Sequence, residues 1–448
     1  MSNQFSLMRE RRFKPFFWTQ FLGAFNDNVF KTALITLVAF HAASLTTIDG
    51  ATLATLLPGL FILPFFLFSA TAGQLADKFE KSKIIRFVKV FEIFIMLFAG
   101  VGFMTHALWL LITALFMMGM HSTLFGPVKY AYLPQHLNEK ELVGGNGMVE
   151  MGSFVAILIG QVLGAWLAMR EGGEVITAIA IIVFAVLGYW VSRGVPNSPP
   201  ADASLKINWN PITETYRNVK LIWGQQAIWL AIVGISWFWF YGATVLAQFP
   251  NFAKTTLYGD ESVFILLLTV FSLGIGIGSL MCEKLSRGEV EIGLVPLGAI
   301  GLTLFGADLY YSSTSIHAAY NNQHSFDYVS FFITHQHQLQ LQHWRLLLDI
   351  ALIGLFGGLY IVPLYALIQT RSDKAYQSRI IAANNIMNAF FMVVSAGFSI
   401  LMFKQGLSIP QLFLTTAVLN MMVTIYLCIR QPEYMQRFYL WLKASFSV

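Results

Sequence analysis

Apolar runs of twenty or so residues alternate along the chain with short polar or turn-forming segments. A bilayer core about 30 Å thick is crossed by about 20 apolar residues of helix. By that measure the pattern predicts twelve spans: 16–42, 51–76, 84–105, 107–128, 147–169, 175–193, 227–250, 262–282, 292–311, 345–368, 382–403 and 410–429. The first 15 residues are basic, yet the apolar run behind them is too long for a signal-peptide core and no small-residue cleavage site follows, so a retained first helix is expected. The fold class predicted is an all-α membrane protein.

Orientation follows from the bases, because short cytoplasmic loops hold the excess of Lys and Arg. With a cytoplasmic N-terminus, 23 of the 28 fall on the inner side, among them Lys81, Lys83, Arg86 and Lys89. Four (Arg170, Lys254, Arg345 and Lys404) fall outside, and Lys31 lies within a span. A wrong span count would mix these sets, so both termini are expected in the cytoplasm.

Composition agrees with a chain solvated mostly by lipid. Of the 448 residues, 56% are hydrophobic and 11% charged, against about 25% charged in a soluble protein. That excludes an ordinary soluble enzyme. The net charge of +5 is spread over short loops, so no nucleic-acid partner is expected. Cys282 and Cys428 sit in or beside apolar runs and frame neither a disulfide nor a zinc site. No loop pairs a nucleophile with a base, so neither enzymatic activity nor a cofactor is expected. An outer loop holds His317, His324, His335, His337 and His343 without an acid or Cys at ligand spacing, and no metal site is expected. Gly274, Gly276 and Gly278 mimic a phosphate loop but lie inside an apolar helix, where close helix packing is the expected use.

The longest inner polar stretch, 194–226, opens with Pro196, Pro199 and Pro200 and divides the spans six and six. The organisation predicted is an N-terminal half 1–193, a linker 194–226, a C-terminal half 227–430 with an outer loop 312–344, and a tail 431–448 that reads as an interfacial helix. The halves look like copies. Gly73 to Lys78 after the second span corresponds to Ser279 to Lys284 after the eighth, with Asp77 and Glu283 separated by 206 residues. Asn146 to Glu150 corresponds to Asn384 to Asn388 at an offset of 238, and the growth in offset falls where the outer loop lies. Two six-helix halves with a Gly-x-x-x-Asp-Lys turn resemble the major facilitator superfamily, although Glu80 and Ser82 depart from its usual turn. The resemblance implies a conformational gate in which Gly73 lets helices approach while Asp77, Lys78, Glu283 and Lys284 lock neighbouring helix ends in one of two arrangements.

Charges inside the spans are few: Asp27, Lys31, Glu92, Lys129, Glu150, Asp308, Arg345 and Asp349. A mid-helix charge costs about 2.5 to 3.5 kcal/mol on insertion scales, so these groups face the bundle interior. Asp27 has Lys31 at i+4 on the same helical face, where the two either neutralise each other or form a polar platform for a ligand. Glu92 reads as a lock between helices. Lys129 either snorkels to the inner interface or joins Asp27 and Glu150 around a zwitterionic ligand that carries a phosphate and an amine.

The runs Gln20 to Asn28, Gly126 to Tyr130 and Asn146 to Glu150 resemble the bacterial lysophospholipid transporter family, including the transporter region of acyltransferase and acyl-carrier-protein synthetase fusions. The resemblance covers nearly the whole chain, as a standalone protein or one portion of a fusion. It implies flipping of lysophosphatidylethanolamine and related lysolipids from the outer to the inner leaflet of the bacterial inner membrane, by a monomer that delivers substrate to an acyltransferase or synthetase. Substrate-binding residues implied are Asp27, Asn28, Lys31, Lys129 and Glu150, with Asn388 as the repeat partner of Glu150. Where the resemblance leads one to expect an arginine in the seventh helix, this chain offers Gln248. Coupling to sodium or protons stays open. The alternative is an ion-coupled carrier of a soluble or drug-like amphipathic molecule, against which stand the fourth helix, Met117 to His121 without an arginine, and the fifth, without a Gly-Pro pair.

Overall fold

The computed structural model describes residues 4–45, 50–320, 325–333 and 340–446. Fifteen α-helices are described: α1 (Lys14–Leu45), α2 (Gly50–Lys78), α3 (Lys81–Thr105), α4 (Leu108–His136), α5 (Glu139–Ala168), α6 (Gly173–Ser192), α7 (Pro211–Trp223), α8 (Gln226–Asn251), α9 (Glu261–Ser286), α10 (Leu294–Ala319), α11 (Tyr328–Phe332), α12 (Leu341–Arg371), α13 (Gln377–Lys404), α14 (Ile409–Arg430) and α15 (Glu433–Phe446). Each of the twelve predicted spans falls on one long helix. Among the described residues, ten helices are by length and composition apolar enough to cross a membrane. The two other long helices, α1 and α3, carry Asp27, Lys31, Lys89 and Glu92.

Local chemistry sets the ends. Asn138 and Glu141 form a reciprocal capping box at the start of α5, and Ser408 and Gln411 do the same for α14. Asp260 accepts from the backbone N–H groups of Ser262 and Val263 to start α9. In the linker, Asn210 caps α7 and Pro211 supplies its first turn, so a stretch read from sequence only as polar holds a 13-residue helix. In the outer insertion α10 continues to Ala319, eight residues past the predicted span end at 311. His324, His335 and His337 lie outside the described residues.

Contacts divide the chain into two compact units, residues 1–228 with 368–389, and residues 229–367 with 390–448. In the first, α1 packs on α5 and α6, α3 on α4 and α6, and α2 on α4. The approach of α1 and α5 needs glycine: a Cβ on Gly160 would sit 2.5 Å from the Phe25 carbonyl oxygen, and one on Gly164 2.5 Å from that of Val29. A core of Val29, Phe30, Leu34, Ile95, Met96, Leu111, Leu115 and Ile181 fills this unit. In the second unit Gly274 and Gly278 of α9 face the backbone of α12 with no room for a Cβ, as the glycine run predicts.

Candidate substrate site and gate

The intramembrane charges of the first unit fall into two neighbouring sets of contacts, both buried. The first set centres on Glu92, which is fully buried on α3. Its carboxylate accepts from Lys89 Nζ at 2.6 Å and Asn26 Nδ2 at 2.8 Å, and stands 3.3 Å from His121 Nε2. Helices α1, α3 and α4 are thereby tied together, the lock that sequence suggested for Glu92. The position of Lys89 corrects the loop count: it is 1% exposed inside α3, not a loop base. Room for its ammonium comes from Gly23 of α1, where a Cβ would lie 2.5 Å from Nζ. The spacing of Lys89 and Glu92, three residues apart on one helix face, was a signal for the pair. His121 carried no sequence signal of its own.

The second set contains the predicted substrate residues. Asp27 is buried, yet its Oδ1 has no hydrogen-bond partner. Of the two readings left open for Asp27 and Lys31, a direct ion pair is not the one formed: Lys31 Nζ stands over the Phe61 ring, 4.8 Å from its centroid. Asn28 donates its amide to the Ala24 carbonyl at 2.8 Å and packs against Gly160. Lys129 donates to Ser153 Oγ of α5 at 2.9 Å, turning into the bundle where sequence had left snorkelling open. Ser153 donates in turn to Gln20 Oε1 at 3.0 Å. Glu150 accepts from the Tyr130 hydroxyl at 2.5 Å. Gln20, Tyr130 and Ser153 thus hold the predicted residues in place. Ser153, three residues after Glu150 and on its face, could have been found by helical spacing. Asn388 is buried on α13, within the same compact unit.

The gate residues separate in a similar way. Asp77 Oδ1 accepts from the backbone N–H of Ser378 at 3.0 Å and Oδ2 from Arg379 Nε at 3.0 Å. The carboxylate therefore caps the first turn of α13, where the N–H groups are unsatisfied and the helix dipole favours an anion. Gly73 makes the approach possible, since a Cβ there would lie 2.7 Å from that of Ala382. Lys78 takes no part in this contact and stands over Phe79. Glu283 and Lys284 lie in the last turns of α9, in the second unit. Close to Asp77, outside the spans, burial works against the charge of Glu80, but the Ser82 hydroxyl, the Ser198 amide and Lys83 hold its carboxyl below the ordinary value of 4.5.

Gln369 joins this region without any signal in its own helix. It donates to the Tyr130 carbonyl at 3.0 Å and exchanges hydrogen bonds with Asn146, Nδ2 to Oε1 at 2.5 Å and Nε2 to Oδ1 at 3.1 Å.

In the second unit Arg345 pairs with Asp308, its Nε 3.0 Å from Oδ2, and Ser312 donates to Asp349 at 2.8 Å, so these groups tie α10 to α12. Among the described residues no group of three or more His, Cys, Asp or Glu could hold a metal ion.

Apolar helices that bury polar groups at mid-length and meet through glycine define a multi-pass membrane protein. Solved structures show the same fold. A Major Facilitator Superfamily transporter, FucP, in the outward conformation aligns with a TM-score of 0.67 at 11% identity over 94% of this chain and 100% of that one. A bacterial homologue of the iron transporter ferroportin, in an outward-facing state, aligns with a TM-score of 0.65 at 14% identity over 92% of this chain and 99% of that one. The family model of the Major Facilitator Superfamily matches residues 16–334, and the chain belongs to that family. It is a multi-pass membrane transporter and not an enzyme.

Among curated proteins the chain is similar to lysophospholipid transporter LplT of Enterobacter sp. (strain 638), 26% identical over 396 residues, which cover 87% of this chain and 88% of the relative. It is similar to LplT of Cronobacter sakazakii (strain ATCC BAA-894), 25% identical over 87% of this chain and 88% of that one. LplT of Escherichia coli O127:H6 matches at 25% identity over 93% of this chain and 94% of its own length.

Proposed function

We propose that the protein flips lysophospholipids, lysophosphatidylethanolamine first among them, from the outer to the inner leaflet of the bacterial inner membrane, with both termini in the cytoplasm. The observation that carries this reading is the buried Asp27 carboxylate with an oxygen that no protein group satisfies. A buried charged oxygen without a partner is costly, and an incoming ammonium would remove that cost through a charge-assisted hydrogen bond. Lys129, held on Ser153, supplies a cation for a phosphate, while Glu150 and Asn388 extend the polar surface. Similarity to relatives named lysophospholipid transporter over nearly the full length supports the same reading. In this scheme the single acyl chain stays in lipid while the headgroup crosses, and Asp77 with Gly73 gates one end by engaging the start of α13. The product is a substrate for an acyltransferase or synthetase.

The test is a leaflet-specific flip assay in proteoliposomes with fluorescent lysophosphatidylethanolamine. Asp27→Ala and Lys129→Ala are each expected to reduce the rate at least tenfold with folded protein retained. Wild-type rates in both variants would refute the site. Running the assay with and without sodium and proton gradients reads the coupling.

A further inference from the structure

At the end of the first unit that carries the basic loops lies a small, largely enclosed cavity of about 40 Å³, lined by Lys81, Ala131, Pro134, Gln135, Lys374, Gln377 and Ser378. Lys81 is the first residue of α3 and 1% exposed, and its Nζ has no hydrogen-bond partner. The carboxylate that acts on it electrostatically, Asp77, is shared with other partners. Asp77 is committed to Ser378 and Arg379. Glu80 is committed to Ser82, the Ser198 amide and Lys83. The other charged lining residue, Lys374, is also a base and is exposed. Two ammonium groups therefore line one small cavity whose neighbouring acids are engaged elsewhere. A buried ammonium with no hydrogen-bond partner and only a shared counter-charge is costly for a fold to hold.

We propose that this cavity binds a phosphate-class anion, with Lys81 as the buried charge partner and Lys374 as the outer one. The volume is about three times the roughly 10–15 Å³ one water needs by the same measure, room for a small tetrahedral anion. Gln135 and Gln377 each spend one amide hydrogen, on the carbonyls of Pro199 and Gln369 respectively, and keep another for the ligand. An anion there connects α3 to residues 374–378, the segment whose end Asp77 caps, and so holds the gate contact closed. This site is separate from Asp27, Lys129 and Glu150 and does not depend on what those residues bind.

The experiment follows the thermal midpoint of the purified full-length protein in micelles as inorganic phosphate is added, against chloride at equal ionic strength. A second arm uses water-soluble dihexanoyl phosphatidic acid. Phosphate-bearing ligands are expected to raise the midpoint. Half-saturation should weaken at least tenfold in Lys374→Gln and Lys81→Gln, while Lys81→Arg should retain it. Tenfold tighter binding of phosphatidic acid assigns the site to a lipid headgroup, and comparable binding assigns it to free phosphate. If Lys81→Gln does not fold, Lys374→Gln, on an exposed side chain, and Lys81→Arg decide the matter. A midpoint that responds to neither ligand beyond chloride, or wild-type half-saturation in Lys374→Gln, overturns the proposal.

Discussion

Removing the carboxylate of Glu92 isolates one variable, because Lys89 cannot reach water. Both side chains are 1% exposed and 2.6 Å apart. In Glu92→Leu the ammonium of Lys89 remains buried beside Gly23, while Asn26 and His121 lose their shared partner. Breaking a buried pair by deleting one partner costs about 3 to 5 kcal/mol, since the surviving charge is left uncompensated. At about 1.4 kcal/mol per decade, that lowers the folded-to-unfolded ratio between about a hundredfold and several thousandfold. Lys89→Leu is expected to cost less, because the carboxylate keeps Asn26. The double variant removes both charges and should recover most of the Glu92→Leu loss, the coupling expected of groups in contact. The measurement is reversible denaturation of the purified protein in mixed micelles, read as a double-mutant cycle. A Glu92→Leu loss below 1 kcal/mol, or a double variant as unstable as Glu92→Leu, would show that the pair is not sealed from water.

Three further outcomes are expected. Gly164→Ala places a methyl group 2.5 Å from the Val29 carbonyl oxygen and should cost about 1 to 3 kcal/mol by forcing α1 and α5 apart, measured as a lowered thermal midpoint; an unchanged midpoint would refute the close approach. Asp77→Asn leaves Arg379 without its counter-charge and weakens the cap on α13, so a cysteine introduced at Ala382 should react with a soluble thiol reagent several times faster than in an otherwise identical Asp77 protein. Because Glu80 has its carboxyl held below 4.5 in the folded protein, its contribution is present above that value and fades as pH falls through the lower folded one; hydrogen exchange at the Ser198 amide, bonded to Glu80 at 3.2 Å, should accelerate in that acidic window and not above it.

Much of the fold was legible because its signals are local. Apolar length marks helices, and glycine spacing marks the contact of α9 with α12. Glu92 was legible as a lock because a lone acid in an apolar helix has few other uses. Lys89 was misplaced because it follows Lys81, Lys83 and Arg86 so closely that it reads as part of the same loop, whereas three-residue spacing to Glu92 carries it into the span. Asp27 and Lys31 share a helix face as expected, but face-sharing does not fix a rotamer, and the Phe61 ring on α2 draws the lysine away. The partners of Asp77 were not legible at all. Arg379 lies 302 residues along the chain, and no period on either helix encodes that encounter. The linker helix was hidden for another reason: its start depends on Asn210 and Pro211, two residues that look equally at home in a loop.

The linker is also fastened. Gln74, three residues before Asp77, donates to the Asn208 carbonyl at 3.0 Å and accepts from the Asn208 N–H at 2.7 Å, so one side chain clasps the backbone with both of its hands. Asn208 then reaches Thr213 at 2.8 Å and fixes the start of α7. The segment after α6 is therefore a splint bolted onto α2, not a slack tether. A movement that frees Asp77 from α13 must either carry the splint along or unfasten Gln74 first, so the length of the linker is a poor guide to how far it lets the gate travel.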